Sequence, residues 1–428
     1  PPYHPDTPEV RKDWAQYYDR LSLLDTFFQE RLDELEDAGL AEDTIVFFFA
    51  DHGSGMPRGK RYPGWSGLHV PVMVYVPEKY KELAPDEYAT GGVSERLISF
   101  VDLAPTLLPI AGVKPPDYYH GAAFMGEHEA KAPKHSFGFR GRMDERPDFC
   151  RSVTDGRYMY VRNYMAHLPH GQHLWYQQET PTTRVWNELF RARKLNAVQA
   201  AFWLPHPRDE LFDLEADPHE TVNLAADPKH AAVLKRLGKA MDKHLLDTRD
   251  LGFVPEPMLR RIIEEGKSPA TVLESRFAGG RNPIKEALAE VNFENPQWKK
   301  AFPKATPERR YWMLTRALEA GEPAVRSAED LLRRALDDEE PAVRVVAGEC
   351  LALYASDETL RREALDTLVD LAKFPENEVI LTVRALNALD HAKQAGVSLP
   401  KAARTLVAEH PEIPGWAGSY RKQIINRF

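Results

Sequence analysis

Two apolar runs enclose a polar segment near the start of the chain. Residues 44–50 are apolar at nearly every position, and a second apolar run follows at residues 70–76. An apolar run without alternation is typical of a strand buried on both faces, as in a parallel sheet covered by helices. In such sheets, ligands bind at the carboxyl ends of the strands. The pattern predicts an active-site loop held between two core strands.

Helices are predicted on both sides of these strands. Thr7 and Pro8 form a helix start, and apolar residues then recur at spacings of three and four until a stop near Gly39. The simplest interpretation is a helix that covers the sheet. Ser99 or Asp102 opens a shorter helix that runs through Ile110.

The pattern changes after about residue 130. Two strand-like segments flank Asp155-Gly156, which is a strong hairpin signal. Residues 211–214 predict a further strand, and residues 228–244 predict a helix. Together these elements indicate an α+β subdomain with antiparallel strands.

Beyond Pro255 the sequence is helical and repetitive. The tetrapeptide Pro-Ala-Val-Arg at residues 323–326 recurs at residues 341–344, with a looser echo from Asn377. This spacing is typical of HEAT-like helical repeats. The whole chain therefore divides into three parts: an α/β part at residues 1–130, the antiparallel subdomain at residues 131–256, and the helical repeats at residues 257–428.

Composition narrows the class of protein. The 428 residues are 43% hydrophobic and 28% charged, with a net charge of -9, which is typical of a globular protein and argues against nucleic-acid binding. No apolar run is long enough to span a membrane, and no signal peptide is visible. With only two cysteines, Cys150 and Cys350, the sequence indicates neither a disulfide framework nor a cysteine zinc site. The abrupt start at Pro1 raises the expectation of a fragment.

Asp51 and His52 are the candidate metal ligands. A carboxylate at the end of a strand suits a hard cation such as Ca²⁺ or Mg²⁺, whereas the imidazole of His52 suits a transition metal better. Asp51 is a single carboxylate, so further ligands must come from elsewhere. The alternative is a turn in which Asp51 only closes the strand.

Three cations are candidates for binding an anion. Lys60 lies on the glycine-rich loop after Asp51 and could pair with a bound oxyanion. Arg140 and Arg142 lie close to Asp144 and could contact acidic or hydroxyl groups of a substrate. The alternatives are a solvated basic loop for Lys60 and a structural ion-pair cluster for the two arginines. His69, just before the second apolar run, is predicted to be a packed histidine or one that supports a ligand from the outside.

An ordered set of motifs resembles the C-terminal half of type I sulfatases in the alkaline phosphatase superfamily, in particular the heparan N-sulfatase-like and planctomycete members. The resemblance covers residues 1 to about 255. Its motifs are Ala50-Asp51-His52-Gly53, Pro57-Arg58-Gly59-Lys60-Arg61, Gly67-Leu68-His69-Val70-Pro71, residues 101–108, and residues 210–224.

The resemblance implies roles for individual residues. Asp51 matches a late Ca²⁺ ligand of the family, and His52 matches the adjacent position that ligates the metal or contacts the sulfate. Lys60 matches the cation that holds the sulfate group. Asp102, Asp213 and Asn223 match structural positions. The resemblance also implies a periplasmic or secreted protein.

The sulfatase nucleophile is not found in this sequence. The family uses a formylglycine made from Cys or Ser in a Cys/Ser-x-Pro/Ala-x-Arg motif, and neither Cys150 nor Cys350 has that context. Ser136 has Arg140 at the right distance but Gly138 in place of Pro or Ala. The nucleophile and the remaining metal ligands are expected upstream, in a missing N-terminal half of the same domain.

These observations favour a sulfuric ester hydrolase of sulfated carbohydrates that is inactive without its N-terminal half. A metal-dependent phosphodiesterase or phosphonate hydrolase of the same superfamily is an alternative, because an imidazole ligand suits its transition metals. A non-catalytic protein that binds a partner through its HEAT-like repeats is another.

Overall fold

The computed structural model describes residues 1–264, 266–413 and 415–428, which form two compact units. The first unit comprises residues 1–140, 150–163 and 169–243, and the second comprises residues 141–149, 164–168 and 244–428. The division into three domains at residues 130 and 256 stays a prediction. Over the described residues, none of the helices has the length and apolarity needed to cross a bilayer.

The first unit contains two separate antiparallel sheets and several helices. Its helices are α1 (Pro8–Asp37), α2 (Trp65–Leu68), α3 (Leu103–Ile110), α4 (Pro181–Arg191), α5 (Ala197–Ala201) and α6 (Ala231–Thr248), the last of which ends in the second unit. Its strands are β1 (Val46–Phe49), β2 (Val72–Tyr75), β3 (Ser136–Arg140), β4 (Cys150–Thr154), β5 (Tyr158–Asn163) and β6 (Asp209–Asp213).

The two apolar runs form strands β1 and β2, but the predicted parallel sheet is wrong. The strands pair antiparallel, with Val46 opposite Tyr75 and Phe49 opposite Val72. An unbroken apolar run reports that both faces of a strand are apolar; it does not report the direction of the neighbouring strand. The connection of residues 50–71 is long enough for the chain to return beside β1 in the opposite direction.

The strand pair is packed on one face and exposed on the other. Val74 and Val76 pack in a cluster with Phe124 and Met125. On the opposite face of β2, Met73 is 50% exposed and Tyr75 is 43% exposed. The prediction of strands buried on both faces is therefore wrong for the residues that the structure describes, although both faces are apolar.

Helix α1 begins and ends as predicted. The Thr7 hydroxyl accepts a hydrogen bond from the Val10 amide, and Pro8 is the first helical residue. Phe28 of α1 packs against Phe48 of β1, with ring centroids 4.6 Å apart. However, Val10 is the sole buried residue of the helix. Helix α1 therefore contacts the strand pair, but most of its own side chains are not buried.

The predicted hairpin and the later strand are confirmed in the second sheet, whose strand order is β3-β4-β5-β6. Gly156 turns between β4 and β5 with a φ of 93°, a conformation that glycine adopts without steric cost. Trp65 of α2 packs on the sheet beside Met159, Val161 and Leu214. The sheet thus provides a rigid base for the loop that precedes α2.

Structural hydrogen bonds account for the three polar residues that were assigned no catalytic role. Asp102 accepts a bond from the Ser99 amide at 2.8 Å at the start of the predicted short helix. Asp213 pairs with Arg157 at 2.9 Å. Asn223 accepts a bond from the Leu211 amide at 2.9 Å and so fixes the chain beside β6.

The regular elements among the described residues of the second unit are helices. They are α7 (Glu256–Glu264), α8 (Pro269–Phe277), α9 (Pro283–Leu288), α10 (Gln297–Ala301), α11 (Pro307–Ala320), α12 (Glu322–Arg326), α13 (Glu329–Ala335), α14 (Pro341–Tyr354), α15 (Glu358–Leu371), α16 (Val379–Gln394), α17 (Lys401–Arg404) and α18 (Gly415–Ile425). The HEAT-like order of these helices stays a prediction. Their core includes a cluster built from α14, α15, α16 and α18.

A buried ion pair joins α14 to α16 inside this core. Glu349 accepts a hydrogen bond from Arg384 at 2.5 Å and lies 2.8 Å from the Nδ1 atom of His391. Burial alone would raise the pKa of Glu349, but the charge of Arg384 and the contact with His391 lower the pKa well below its usual range. Glu349 is therefore held as a carboxylate in the apolar interior.

We expect Glu349→Ala to lower the free energy of unfolding by about 3–5 kcal/mol, because the substitution leaves the Arg384 charge buried without its partner. Denaturant unfolding monitored by circular dichroism measures this loss. Asp366→Ala is the matched control, because its pair with Arg362 is solvent-exposed and such pairs contribute about 0–1 kcal/mol. Equal losses in the two variants would contradict the role of burial.

Candidate active site

The loop that follows β1 is closed at its base by tight backbone packing. The Gly53 amide donates a hydrogen bond to the Gly67 carbonyl at 2.9 Å. A Cβ atom on Gly53 would lie 2.0 Å from the Ser66 carbonyl oxygen, and one on Gly67 would lie 2.0 Å from that of Tyr62. These two positions therefore require glycine for the backbone segments to approach.

Arg58 holds the loop from inside. Its buried guanidinium donates hydrogen bonds to the carbonyl oxygens of His219 at 2.8 Å and Glu220 at 2.6 Å. It also lies over the Tyr3 ring, 4.1 Å from the centroid, and over the Tyr62 ring at 5.2 Å. Burial would lower the pKa of Arg58, but the neighbouring Tyr62 and Glu220 raise it above its usual value.

Asp51 and His52 lie side by side at the end of β1. The His52 Nε2 atom is 3.6 Å from the Asp51 carboxylate oxygen, while His52 Nδ1 lies 2.6 Å from the Gly53 carbonyl oxygen. If Nδ1 donates to that carbonyl, the lone pair of Nε2 faces the same side as Asp51. The Asp51 side chain is 85% exposed. The two residues fit a metal ion as two ligands, and their role stays a prediction.

Lys60 and Arg61 lie at the tip of the loop around the exposed ring of Tyr176. The Lys60 Nζ atom is 5.7 Å from the centroid of that ring, and the Arg61 guanidinium is 4.9 Å from it. The Lys60 amide donates to the Ser54 carbonyl at 2.8 Å, which fixes its backbone. The arrangement places positive charge beside an exposed aromatic ring.

The other predicted residues have mainly structural surroundings. Arg140 is the last residue of β3, and its side chain is buried. In the second unit, Arg142 forms a bidentate pair with Glu256 at 2.8 and 3.0 Å, and its guanidinium lies over the Trp416 ring. These contacts favour the ion-pair alternative for Arg142, and substrate binding by either arginine stays a prediction. His69 stacks on Trp65 with ring centroids 4.0 Å apart, although the residue is exposed to solvent.

Sequence reasoning missed the groups that support the loop from below. Glu220 accepts a bond from the Trp65 amide at 2.8 Å, and burial raises its pKa despite the nearby charge of Arg58. The Tyr62 ring meets the edge of His170 at 5.0 Å, and His170 lies 3.2 Å from Glu210. The signal available in the sequence was the histidine-rich segment around His170, which resembled no motif.

Comparison with known proteins identifies relatives of this chain. Residues 2–113 match the family model described as Sulfatase. An ulvan-active sulfatase of Formosa agariphila is 36% identical over 273 residues, which cover 64% of this chain and 44% of that protein. The N-sulphoglucosamine sulphohydrolase of Homo sapiens is 30% identical over 268 residues, which cover 58% of this chain and 51% of that protein.

A solved structure described in complex with its substrate, D-glucosamine-2-N,6-O-disulfate, is 18% identical to this chain, with a TM-score of 0.37. The match covers 52% of this chain and 38% of that chain. Its TM-score is too low to support an argument about the geometry of the site. The chain spans about half the length of the curated relatives that it matches. Residues 2–113, which match the Sulfatase family model, include Asp51, His52 and Lys60.

Proposed function

We propose that this chain is part of a sulfuric ester hydrolase that acts on a sulfated carbohydrate. The observation that carries the proposal is the pair of cations, Lys60 and Arg61, around the exposed Tyr176 ring, on the loop that begins with Asp51 and His52. A cation binds the sulfate oxygens, and an exposed aromatic ring offers an apolar surface to a sugar. The two relatives are named for action on ulvan and on N-sulphoglucosamine, which supports a sulfated glycan.

In this proposal, Asp51 and His52 provide two ligands to a Ca²⁺ ion. A bound divalent ion would polarise the sulfuryl oxygens. Lys60 then binds the sulfate group and stabilises the negative charge that develops on its oxygens during hydrolysis. Arg140 and Arg142 are the further substrate contacts that the sequence suggested. A periplasmic or secreted location belongs to the same proposal.

The attacking group is proposed to come from outside this chain. Neither cysteine lies in a formylglycine motif, and Cys350 is buried in the helical core of the second unit. A polypeptide that corresponds to the unmatched half of the relatives would supply the formylglycine and the remaining metal ligands. This chain alone would then bind a sulfate ester without hydrolysing it.

Exposed apolar side chains support such a partner. Tyr18, Leu21, Leu24 and Phe27 of α1 are exposed, as are Met73 and Tyr75 of β2. We call these six residues the apolar set. All of them lie within the segment that matches the Sulfatase model. Exposed apolar clusters mark surfaces that another polypeptide covers. The occupant we propose is the other half of the sulfatase domain.

A fusion protein tests the proposed function. The part of the Formosa agariphila sulfatase that this chain does not span is placed before Pro1, in cells that make formylglycine. We expect the fusion to hydrolyse 4-nitrophenyl sulfate and sulfated ulvan oligosaccharides, with the activity removed by EGTA and by Asp51→Ala, and the chain alone to be inactive. Hydrolysis by the chain alone, or a preference of the fusion for phosphonate esters, would overturn the proposal.

In the same fusion, Lys60→Ala is expected to lower kcat/KM by a factor of about 10²–10³, because one charged contact to the sulfate oxygens is lost. Lys60→Arg should retain most of the activity, since the charge remains. Lys81→Ala is the control, because Lys81 is a solvent-exposed lysine paired with Glu78 outside the loop. The role of Lys60 is wrong if Lys60→Ala and Lys81→Ala have equal kcat/KM values.

Substitutions in the apolar set are expected to change the free energy of unfolding by an amount that depends on whether the partner is present. Met73→Ala is expected to change the free energy of unfolding by less than about 0.5 kcal/mol in the chain alone, where the side chain is exposed. In the fusion, the same substitution should cost about 2–5 kcal/mol, because the side chain is then buried. Val222→Ala, at an exposed position outside the apolar set, should be neutral in both proteins. Equal effects of Met73→Ala in both proteins would exclude this face as the interface.

A further inference from the structure

Three side chains with metal-binding atoms converge beneath the loop of the first unit. One ligand atom from each of Cys150, His170 and His206 lies within 4.8 Å of the others. The exposed fractions are 0% for Cys150, 6% for His170 and 5% for His206. Thiol and imidazole groups are ligands of Zn²⁺, and structural zinc sites are closed to solvent. None of the three residues has a part in the proposed hydrolysis.

The orientation of His170 is that of a metal ligand. Its Nε2 atom lies 3.2 Å from a carboxylate oxygen of Glu210, which itself accepts a bond from the Asn163 amide group at 2.7 Å. A carboxylate oxygen accepts hydrogen bonds, so Nε2 carries the proton that is donated to Glu210. The buried Nδ1 atom of His170 has no hydrogen-bond partner among the residues that the structure describes, and its lone pair remains for a metal.

We propose that Cys150, His170 and His206 bind one Zn²⁺ ion, with Glu210 orienting His170 through its Nε2 proton. The Cys150 thiol loses its proton when the thiolate binds the ion, and His170 binds through Nδ1. A tetrahedral ion has a fourth position, which a water molecule or a further protein oxygen fills. The site is distinct in its residues from Asp51 and His52, and the proposal is independent of the proposed hydrolysis.

Binding requires a small rearrangement of the two histidines. Their rings are stacked, with centroids 4.0 Å apart and an angle of 27° between the planes. Two imidazoles on one tetrahedral zinc ion have centroids roughly 5 Å apart, as bond lengths of about 2.0–2.1 Å imply. The distance between the two ring centroids therefore increases by about an ångström when the ion binds. The hydrogen bond to Glu210 keeps the His170 ring in its orientation.

The site would brace the loop that carries Lys60. Cys150 begins β4, His170 follows β5, and His206 precedes β6, so that one ion joins three segments of the sheet. Tyr62 of the loop packs against His170 with the rings at 87°. An ion that fixes the position of His170 therefore also fixes the side chain against which Tyr62 packs. This role is structural, since the ligands are buried.

Metal analysis of the full chain tests the proposal. After dialysis against a chelator, one equivalent of Zn²⁺ is added, and the desalted protein is analysed by mass spectrometry of its metals. We expect one zinc per chain in the wild type and loss of that zinc in Cys150→Ala and His170→Gln. Glu210→Gln should weaken zinc binding by about 10–100-fold, the usual effect of removing the partner of a ligating histidine.

Cys350→Ala is the matched control. Cys350 is also a buried free cysteine, but burial and the adjacent Glu349 raise the pKa of its thiol, which disfavours a thiolate. The control should keep its zinc and, with Co²⁺ instead, give a thiolate-to-cobalt charge-transfer band. This spectrum tests Cys150 even if Cys150→Ala does not fold. The proposal is overturned if the control lacks the band, or if folded Cys150→Ala retains zinc with the wild-type affinity.

Discussion

The buried guanidinium of Arg58 is the contact on which the candidate active site depends. It links the loop to the carbonyl oxygens of His219 and Glu220, more than 150 residues later in the chain. A buried charge is tolerated only when its donors are satisfied, and here two carbonyl oxygens and two aromatic rings surround it. The position of Lys60, two residues further on, follows from this anchor. The segment around residue 220 thus contributes to the site by holding the loop.

Much of the local structure could be predicted from the sequence. The start of α1 at Thr7 and Pro8, the hairpin at Asp155-Gly156 and the capped helix after Ser99 each depend on residues close together in the chain. Predictions of this kind are correct because they depend on local hydrogen bonds, which form in the folded protein whatever the tertiary contacts. The loop between two apolar strands was also predicted from residues close together in the chain. Gly53 and Gly67 of this loop allow the backbone segments to approach each other.

Long-range pairing could not be predicted in the same way. The apolar character of β1 gave no information on strand direction, and its exposed neighbours in β2 show that an apolar face need not be buried. The convergence of Cys150, His170 and His206 depends on the pairing of β4, β5 and β6, which a single sequence does not encode in any short motif. Arg58 and Glu220 were visible as charged residues, but their contact arises only from the tertiary fold.

Two arginines of the loop have a left-handed backbone, with φ values of 71° for Arg58 and 72° for Arg61. Such a conformation costs a non-glycine residue on the order of 1 kcal/mol, so packing and hydrogen bonds must hold it in place. Lys60 lies between them, and its backbone is therefore ordered before any anion arrives. In the proposed function, the binding of an anion by Lys60 reduces mainly the rotational freedom of the lysine side chain, because the entropy of ordering the loop has already been lost during folding.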